Sequence, residues 1–331
     1  MNRQVLLASR PQGAPTEANF RVVETPLPSP GAGEVLVRNQ WLSLDPYMRG
    51  RMSDAKSYVP PATLGEVMVG QTVGVVERSN DPRFVAGDTV LTSLGWQTHG
   101  VARGGELEKV DATIAPASYY LGVLGMPGLT AWFGLFEVGM PKPGETVVVS
   151  AASGAVGSIV GQLAKLHGCR AVGIAGGPAK CDHVVRDLGF DACVDYKAGR
   201  LVEDLRAACP DGVDVDFENV GGSVLEAMLK QMNRYSRIVV CGLIAEYNRT
   251  EAYGYQGLRA ILVNRIRVQG MLVFDWKERY PEARRALVAL AGAGKLRYRE
   301  SVATGLDAAP RAFIGLLKGE NIGKQLVKLD A

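Results

Sequence analysis

Hydrophobic and polar positions change rhythm about a third of the way along the chain. Before that point, apolar residues alternate with polar ones in short runs. EVLVRN (Glu34–Asn39), QTVGVVER (Gln71–Arg78), DTVLT (Asp88–Thr92) and THGVAR (Thr98–Arg103) each lie between clusters of Gly, Pro and Asp. Runs of this length, so bounded, predict short strands. The stretch TPLPSPGAG (Thr25–Gly33) predicts a turn-rich connection. No internal repeat or low-complexity tract interrupts the pattern.

From about Leu121 strand-like runs alternate with helix-like ones. Thr146–Ala151 is continuously apolar at its centre, which predicts a parallel strand covered on both faces. Val156, Ile159, Val160, Leu163 and Leu166 then recur at helical spacing. Arg170–Ala175 predicts the next strand and Lys180–Leu188 the next helix. Ala192–Asp195, Val213–Phe217, Arg237–Cys241 and Arg267–Phe274 predict further strands. Such alternation implies a doubly wound α/β domain. The last ~35 residues lose the alternation, and composition leaves open whether they return to the first domain.

Bulk properties narrow the class. A chain of 331 residues accommodates two domains, each large enough to bury a core. The 40 glycines favour turns and close backbone approaches over a helical bundle. A net charge of +3, spread along the chain, argues against a nucleic-acid partner or an anionic membrane surface. Lys318, Lys324 and Lys328 near the end read as a solvated edge. The apolar run Val5–Ala8 is short for a signal-peptide core, and no run reaches the ~20 apolar residues of a membrane span. Five unpaired cysteines read as reduced thiols in a cytoplasmic protein.

The strongest local signal is Ala152-Ser153-Gly154-Ala155-Val156-Gly157, which follows a predicted strand and opens a predicted helix. In that context Gly154 lets the backbone approach a pyrophosphate, Gly157 permits close helix–sheet packing, and the helix N-terminus offers free N–H groups. The following strand ends at Ala175-Gly176-Gly177 without the acid that a 2′-hydroxyl reader would need. A carboxylate there would repel a 2′-phosphate. Lys180 follows and can meet such a phosphate, although a solvated lysine at a helix start is the alternative. NADPH is therefore the expected cofactor.

No metal pattern accompanies this site. No cysteine precedes Cys169, and the spacing of Cys169, Cys181 and Cys193 fits no metal loop. His99, His167 and His183 form no ligand set. A Gly-x-Ser-x-Gly elbow and a P-loop are both missing.

LDPYMRGRM (Leu44–Met52), SAASGAVGSIVGQLAKLHGC (Ser150–Cys169), LGFDACVDYK (Leu188–Lys197), FENVGG (Phe217–Gly222), CGLIAEYN (Cys241–Asn248) and KGENIGKQLV (Lys318–Val327) occur together and in this order. The set resembles the zinc-independent medium-chain dehydrogenase/reductases: the prostaglandin reductases (leukotriene 12-hydroxydehydrogenases), alkenal double-bond reductases and curcumin-type reductases. The resemblance implies an α/β protein with a GroES-like, β-rich catalytic domain (residues 1–122 and 297–331) and a Rossmann NADPH-binding domain (residues 123–296). It also implies a homodimer. Carried over motif by motif, the cofactor contacts fall on Gly154, Ala155, Val156 and Gly157, on Lys180 and Tyr196 for the 2′-phosphate, and on Asn219. They continue through Cys241, Gly242, Leu243, Ile244, Ala245, Glu246 and Tyr247, then Leu272, Val273 and Phe274, and end at Asn321. Tyr47 and Tyr247 match tyrosines lining the substrate pocket, whereas Val73 stands where plant relatives carry a third.

The chemistry so implied is hydride delivery to the β-carbon of an α,β-unsaturated carbonyl compound, without zinc. Charge then develops on the carbonyl oxygen, and Tyr247 is the candidate donor that stabilises it, with a ribose hydroxyl or a water as competitor. Plainer roles stay open. Tyr47 as a packed tyrosine, Tyr247 as a cover for the nicotinamide, and Asn219 and Asn321 as turn residues would all suit the sequence. Quinone reduction, alcohol oxidoreduction and non-catalytic NADPH binding remain rival functions on the same fold.

Overall fold

Alternating runs need partners, and the N-terminal ones find each other. The computed structural model describes residues 1–329. Strands β1 (Asn2–Leu7) and β2 (Phe20–Thr25) form an antiparallel ribbon. A longer strand, β3 (Glu34–Ser43), precedes a short helix, α1 (Tyr47–Arg51). Strands β4 (Thr72–Ser79), β5 (Thr89–Thr92), β6 (His99–Arg103) and β7 (Glu108–Lys109) follow. Strand β3 pairs antiparallel with both β4 and β6, and Val35, Val37, Val76, Phe84 and Val90 pack together as a small core.

Helix α2 (Met126–Phe133) opens the second unit, Val123–Arg299. Its sheet is built from β8 (Thr146–Ser150), β9 (Arg170–Ala175), β10 (Ala192–Asp195), β11 (Val213–Glu218), β12 (Met232–Val240) and β13 (Arg267–Gly270). All neighbours are parallel, in the order β10-β9-β8-β11-β12-β13. That order is the Rossmann one, with its topological switch between β8 and β11. The helices are α3 (Gly157–Leu166), α4 (Pro178–Asp182), α5 (Leu201–Ala208), α6 (Gly222–Leu229), α7 (Arg259–Asn264) and α8 (Tyr280–Gly292). Two expectations change. The helix expected over Lys180–Leu188 divides into α4 and a π-helical turn, His183–Asp187. The strand expected over Arg267–Phe274 stops at Gly270, and Val273–Arg279 turns as a 3-10 helix that buries Val273.

One strand of this sheet carries acids into the apolar interior. Asp216 of β11 lies in register with Val148 and Ile238, both members of the core packed against Leu205, Val224 and Met228. In-register residues share a sheet face. Asp216 is fully buried, and neither carboxyl oxygen has a hydrogen-bond partner among the described residues. Burial, with the neighbouring Glu218 carboxyl, raises its pKa well above the usual carboxylate range.

The chain then returns to the first unit, Met1–Gly122, to which the stretch from Glu300 onward belongs. Strand β14 (Glu300–Thr304), helix α9 (Ala309–Leu317) and strand β15 (Lys324–Lys328) make this return, and β15 pairs with β3. The reason is packing. Phe313 of α9 meets Trp96 edge-on at 5.7 Å, and Trp96 stacks on Phe20 at 5.3 Å. All three rings are buried. The solvated edge expected of Lys318, Lys324 and Lys328 holds for Lys318 and Lys328, which are exposed, and fails for Lys324. Lys324 is 1% exposed and donates to Asp45 at 2.6 Å and to the Leu44 carbonyl at 2.7 Å.

Candidate functional site

The carboxyl ends of the second unit's strands gather most of the candidate residues. Between β8 and α3 the chain turns through Ala151–Val156, with Gly154, Ala155 and Val156 half-exposed. Gly157 opens α3, and a Cβ there would fall 2.5 Å from the Ala151 carbonyl oxygen, so only glycine allows this approach. No side chain caps α3. Its first turn therefore faces a ligand with main-chain N–H groups and the positive end of the helix dipole, which suits a pyrophosphate.

The neighbouring corner lies at the ends of β9 and β10. Tyr196 follows β10, and its ring and hydroxyl lie against Gly176, where a Cβ would come within 2.8 Å of the ring. Lys180 is half-buried in the first turn of α4. Burial lowers its pKa, and the charge of Lys197 lowers it further. Two cations thus bear on one corner, an arrangement that a phosphate dianion would stabilise. Asp195 reaches the same corner from β10. Its Oδ1 accepts the N–H groups of Gly177 and Lys197 at 2.8 and 2.9 Å, so it serves as a strut for the two turns. Lys197 was not singled out from the sequence. The only signal was its place beside Tyr196, and nothing along the chain says that it meets Lys180.

At the switch point, Asn219 ties β11 to β8. Its Nδ2 donates to the Ser150 carbonyl at 2.8 Å, and its N–H donates to Ser150 Oγ at 2.7 Å. Ser150 Oγ in turn donates to Glu218 Oε1 at 2.6 Å. The loop Cys241–Tyr247 runs alongside, with the N–H groups of Cys241, Ile244 and Ala245 donating to the carbonyls of Glu218, Asn219 and Val220. Glu246 Oε1 accepts the Gly222 N–H at the start of α6 and the Tyr255 hydroxyl, each at 3.1 Å. Its carboxylate thus anchors the loop. Tyr247 is half-buried, and its hydroxyl accepts the Leu243 N–H at 3.3 Å. That contact uses a lone pair of the hydroxyl oxygen. Burial pushes the Cys241 thiol up to about 12. The Met271 N–H donates to the Val240 carbonyl, and beyond it Val273 is buried while Leu272 is half-exposed and Phe274 exposed.

Two candidates belong to the first unit. Tyr47 begins α1, and burial raises its phenol well above the usual range, with Asp45 adding to the rise and Arg51 opposing it. Asn321 donates from Nδ2 to the Gly323 carbonyl at 2.8 Å, a local turn contact.

Known proteins share this chain's plan over almost its whole length. A family model described as the N-terminal domain of oxidoreductase matches residues 3–110, and one described as zinc-binding dehydrogenase matches residues 155–289. A zinc of the kind that the second description implies finds no donor set. Among the described residues no group of three His, Cys, Asp or Glu comes together to hold a metal. The chain is 48% identical over 334 residues to the NADPH-dependent curcumin reductase of Escherichia coli (strain K12), covering 99% of this chain and 97% of that one. It is 44% identical over 336 residues to the 2-alkenal reductase (NADP(+)-dependent) of Nicotiana tabacum, covering 99% and 98%. The crystal structure of CurA in complex with NADPH from Vibrio vulnificus superposes with a TM-score of 0.95 at 48% identity, over 99% of each chain.

Proposed function

The chain belongs to the zinc-independent medium-chain dehydrogenase/reductases that include the curcumin and 2-alkenal reductases, and we propose that it uses NADPH to reduce the carbon–carbon double bond of α,β-unsaturated ketones and aldehydes. The observation that carries this reading is the Tyr247 loop. It is fastened to the end of β11 at the switch point and carries the half-buried Tyr247 phenol there.

NADPH, when bound, supplies a hydride. The chain's part is to hold it and to manage charge. Gly154–Gly157 and the start of α3 suit the pyrophosphate, while Lys180, Lys197 and Tyr196 suit the 2′-phosphate. Reduction at the β-carbon leaves negative charge on the carbonyl oxygen as an enolate. Tyr247 donates a hydrogen bond to that oxygen, an enolate being a weaker base than the alkoxide of direct carbonyl reduction, and a proton delivered to the α-carbon by Tyr247 or by water then gives the saturated carbonyl compound. Tyr47 lines the substrate side.

Product analysis tests the reaction. A purified sample given NADPH and an enone should yield the saturated ketone with its carbonyl intact, and exhaustive chelation should leave the rate unchanged. An allylic alcohol as main product, or turnover of quinones alone, would reject the reaction class.

We also place the chain in the cytosol, in keeping with its five free cysteines, and in a homodimer. No helix among the described residues is long and apolar enough to cross a membrane. Support for the dimer comes from the sheet edge at β13. All four of its residues are exposed, and α7 beside it buries none of its own. Leu262 is 78% exposed. An open apolar edge of this kind pairs readily with a second copy about a twofold axis. Light scattering after size exclusion should give twice the chain mass, and Leu262→Lys with Val268→Lys should reduce it to one. A wild-type monomer at micromolar concentration would count against the dimer.

A further inference from the structure

Two cysteines meet behind the corner read as the 2′-phosphate site. Cys193 lies in β10, in register with Gly173 of β9. A Cβ at Gly173 would fall 3.3 Å from Cys193 Sγ and 2.8 Å from Val184 Cγ1. The missing side chain thus leaves room for the thiol between the sheet and the turn that continues α4. Cys181, in α4, reaches the same spot. The two thiols are hydrogen-bonded to one another, and both meet the main chain of Ala175 at the end of β9. Each is half-exposed, whereas Cys169 and Cys209 are buried. All of these residues belong to the second unit.

The contact is polarised. At Cys181 burial raises the thiol, and the hydrogen bond with Cys193 opposes the rise. At Cys193 burial raises the thiol further, and the same hydrogen bond adds to the rise. Cys193 therefore donates and Cys181 accepts, so Cys181 is the sulfur better able to ionise and attack. A second thiol already in contact with the attacking sulfur is placed to resolve a mixed disulfide formed there.

We propose that Cys181 and Cys193 form a redox modification site, closing to a reversible disulfide that weakens NADPH binding. The oxidant is a low-molecular-weight disulfide. The Cys181 thiolate attacks one of its sulfurs and expels a first thiol. Cys193 then loses its proton, attacks Cys181 Sγ and expels a second. One protein S–S bond has formed, and two electrons and two protons have left with the reagent as two thiols. Closing a non-bonded contact to a covalent bond draws α4 toward β10. Lys180 immediately precedes Cys181 in α4, and Tyr196 and Lys197 follow β10, so the groups at the phosphate corner shift with the bond. The effect on NADPH rests on the reading of that corner as the 2′-phosphate site; the disulfide itself does not.

The test uses the full-length enzyme, reduced, freed of reductant and incubated with oxidised glutathione. Peptide mapping without reduction should show Cys181 joined to Cys193, and dithiothreitol should reverse the link. Its formation should speed up as pH rises, because only the thiolate attacks. The oxidised enzyme should bind NADPH about three- to tenfold more weakly, a partial loss of one charged contact, with NADH affinity nearly unchanged. By reciprocity, bound NADPH should shield the pair from oxidation. Cys181→Ser and Cys193→Ser should each abolish the link and leave NADPH affinity insensitive to the oxidant, which separates the effect from oxidation of other cysteines. If one of them does not fold, the other decides. Free thiols at both positions, or a glutathione adduct on Cys181 that goes no further, overturns the proposal. So does a mapped disulfide that leaves NADPH affinity unchanged while Lys180→Ala weakens it. If Lys180→Ala instead weakens NADPH and NADH equally, the reading of the corner and the coupling fall together, and a mapped disulfide still upholds the modification site.

Discussion

Replacing Lys180 with alanine should raise the NADPH dissociation constant about 10- to 100-fold and leave NADH binding nearly unchanged. The magnitude is that of one charged hydrogen bond, roughly 1.5–3 kcal/mol. The selectivity follows from geometry. Gly176 and Gly177 leave the end of β9 without an acid, and Lys180 and Lys197 crowd their charges into that corner. Only the 2′-phosphate distinguishes the two cofactors there. Lys197 should carry part of the load, so the double variant should lose more than either single one, and by less than the sum of the two if both contact one phosphate. Fluorescence titration with each cofactor measures this. Equal losses for NADPH and NADH would show that Lys180 does not read the 2′-phosphate.

Tyr247→Phe should lower the turnover number by about 10- to 100-fold with NADPH affinity little changed. Removing one oxyanion donor from a preorganised site costs on the order of 10²–10³ in rate. The smaller figure is expected because a water or a ribose hydroxyl can take over part of the role. The variant loses the acceptor of the Leu243 N–H as well as the proton donor. The loop itself should stay in place, because Glu246 and the main-chain bonds to residues 218–220 hold it. A primary isotope effect with deuterated NADPH confirms that hydride transfer limits the rate. Wild-type turnover under those conditions would reduce Tyr247 to a packing residue.

The sequence spoke clearly where one physical rule dominated. The continuous apolar run at Thr146 could only be a strand covered on both faces, and the glycines behind it could only be a close approach. Strand ends were less legible. Arg267–Phe274 kept its apolar character beyond Gly270, yet tertiary packing of Val273 decided for a 3-10 helix. Contacts between distant residues were not legible at all. Lys324 looked like surface because its partner Asp45 lies 279 residues away.

The orphaned acid in β11 makes a proton a ligand of the native state. Asp216 holds its proton more tightly when folded, because burial raises its pKa, whereas in the unfolded chain a carboxyl of this type titrates near 3.9. Between those two values the folded form binds more protons than the unfolded form. Stability must therefore fall as pH climbs from the ordinary carboxylate range toward the raised folded value, the reverse of the usual acid-induced loss. Glu218 complicates the sum, since the Ser150 hydroxyl and nearby amides favour its charged form while burial opposes it. Asp216→Val removes the main contributor and should raise the melting temperature more at pH 8 than at pH 5, with a gain of about 1–3 kcal/mol at the higher pH. Calorimetry at both values checks this, and an equal gain at the two would mean that the folded pKa is not raised. Unfolding at a pH between the two values thus releases acid into the solvent, and refolding has to recover it.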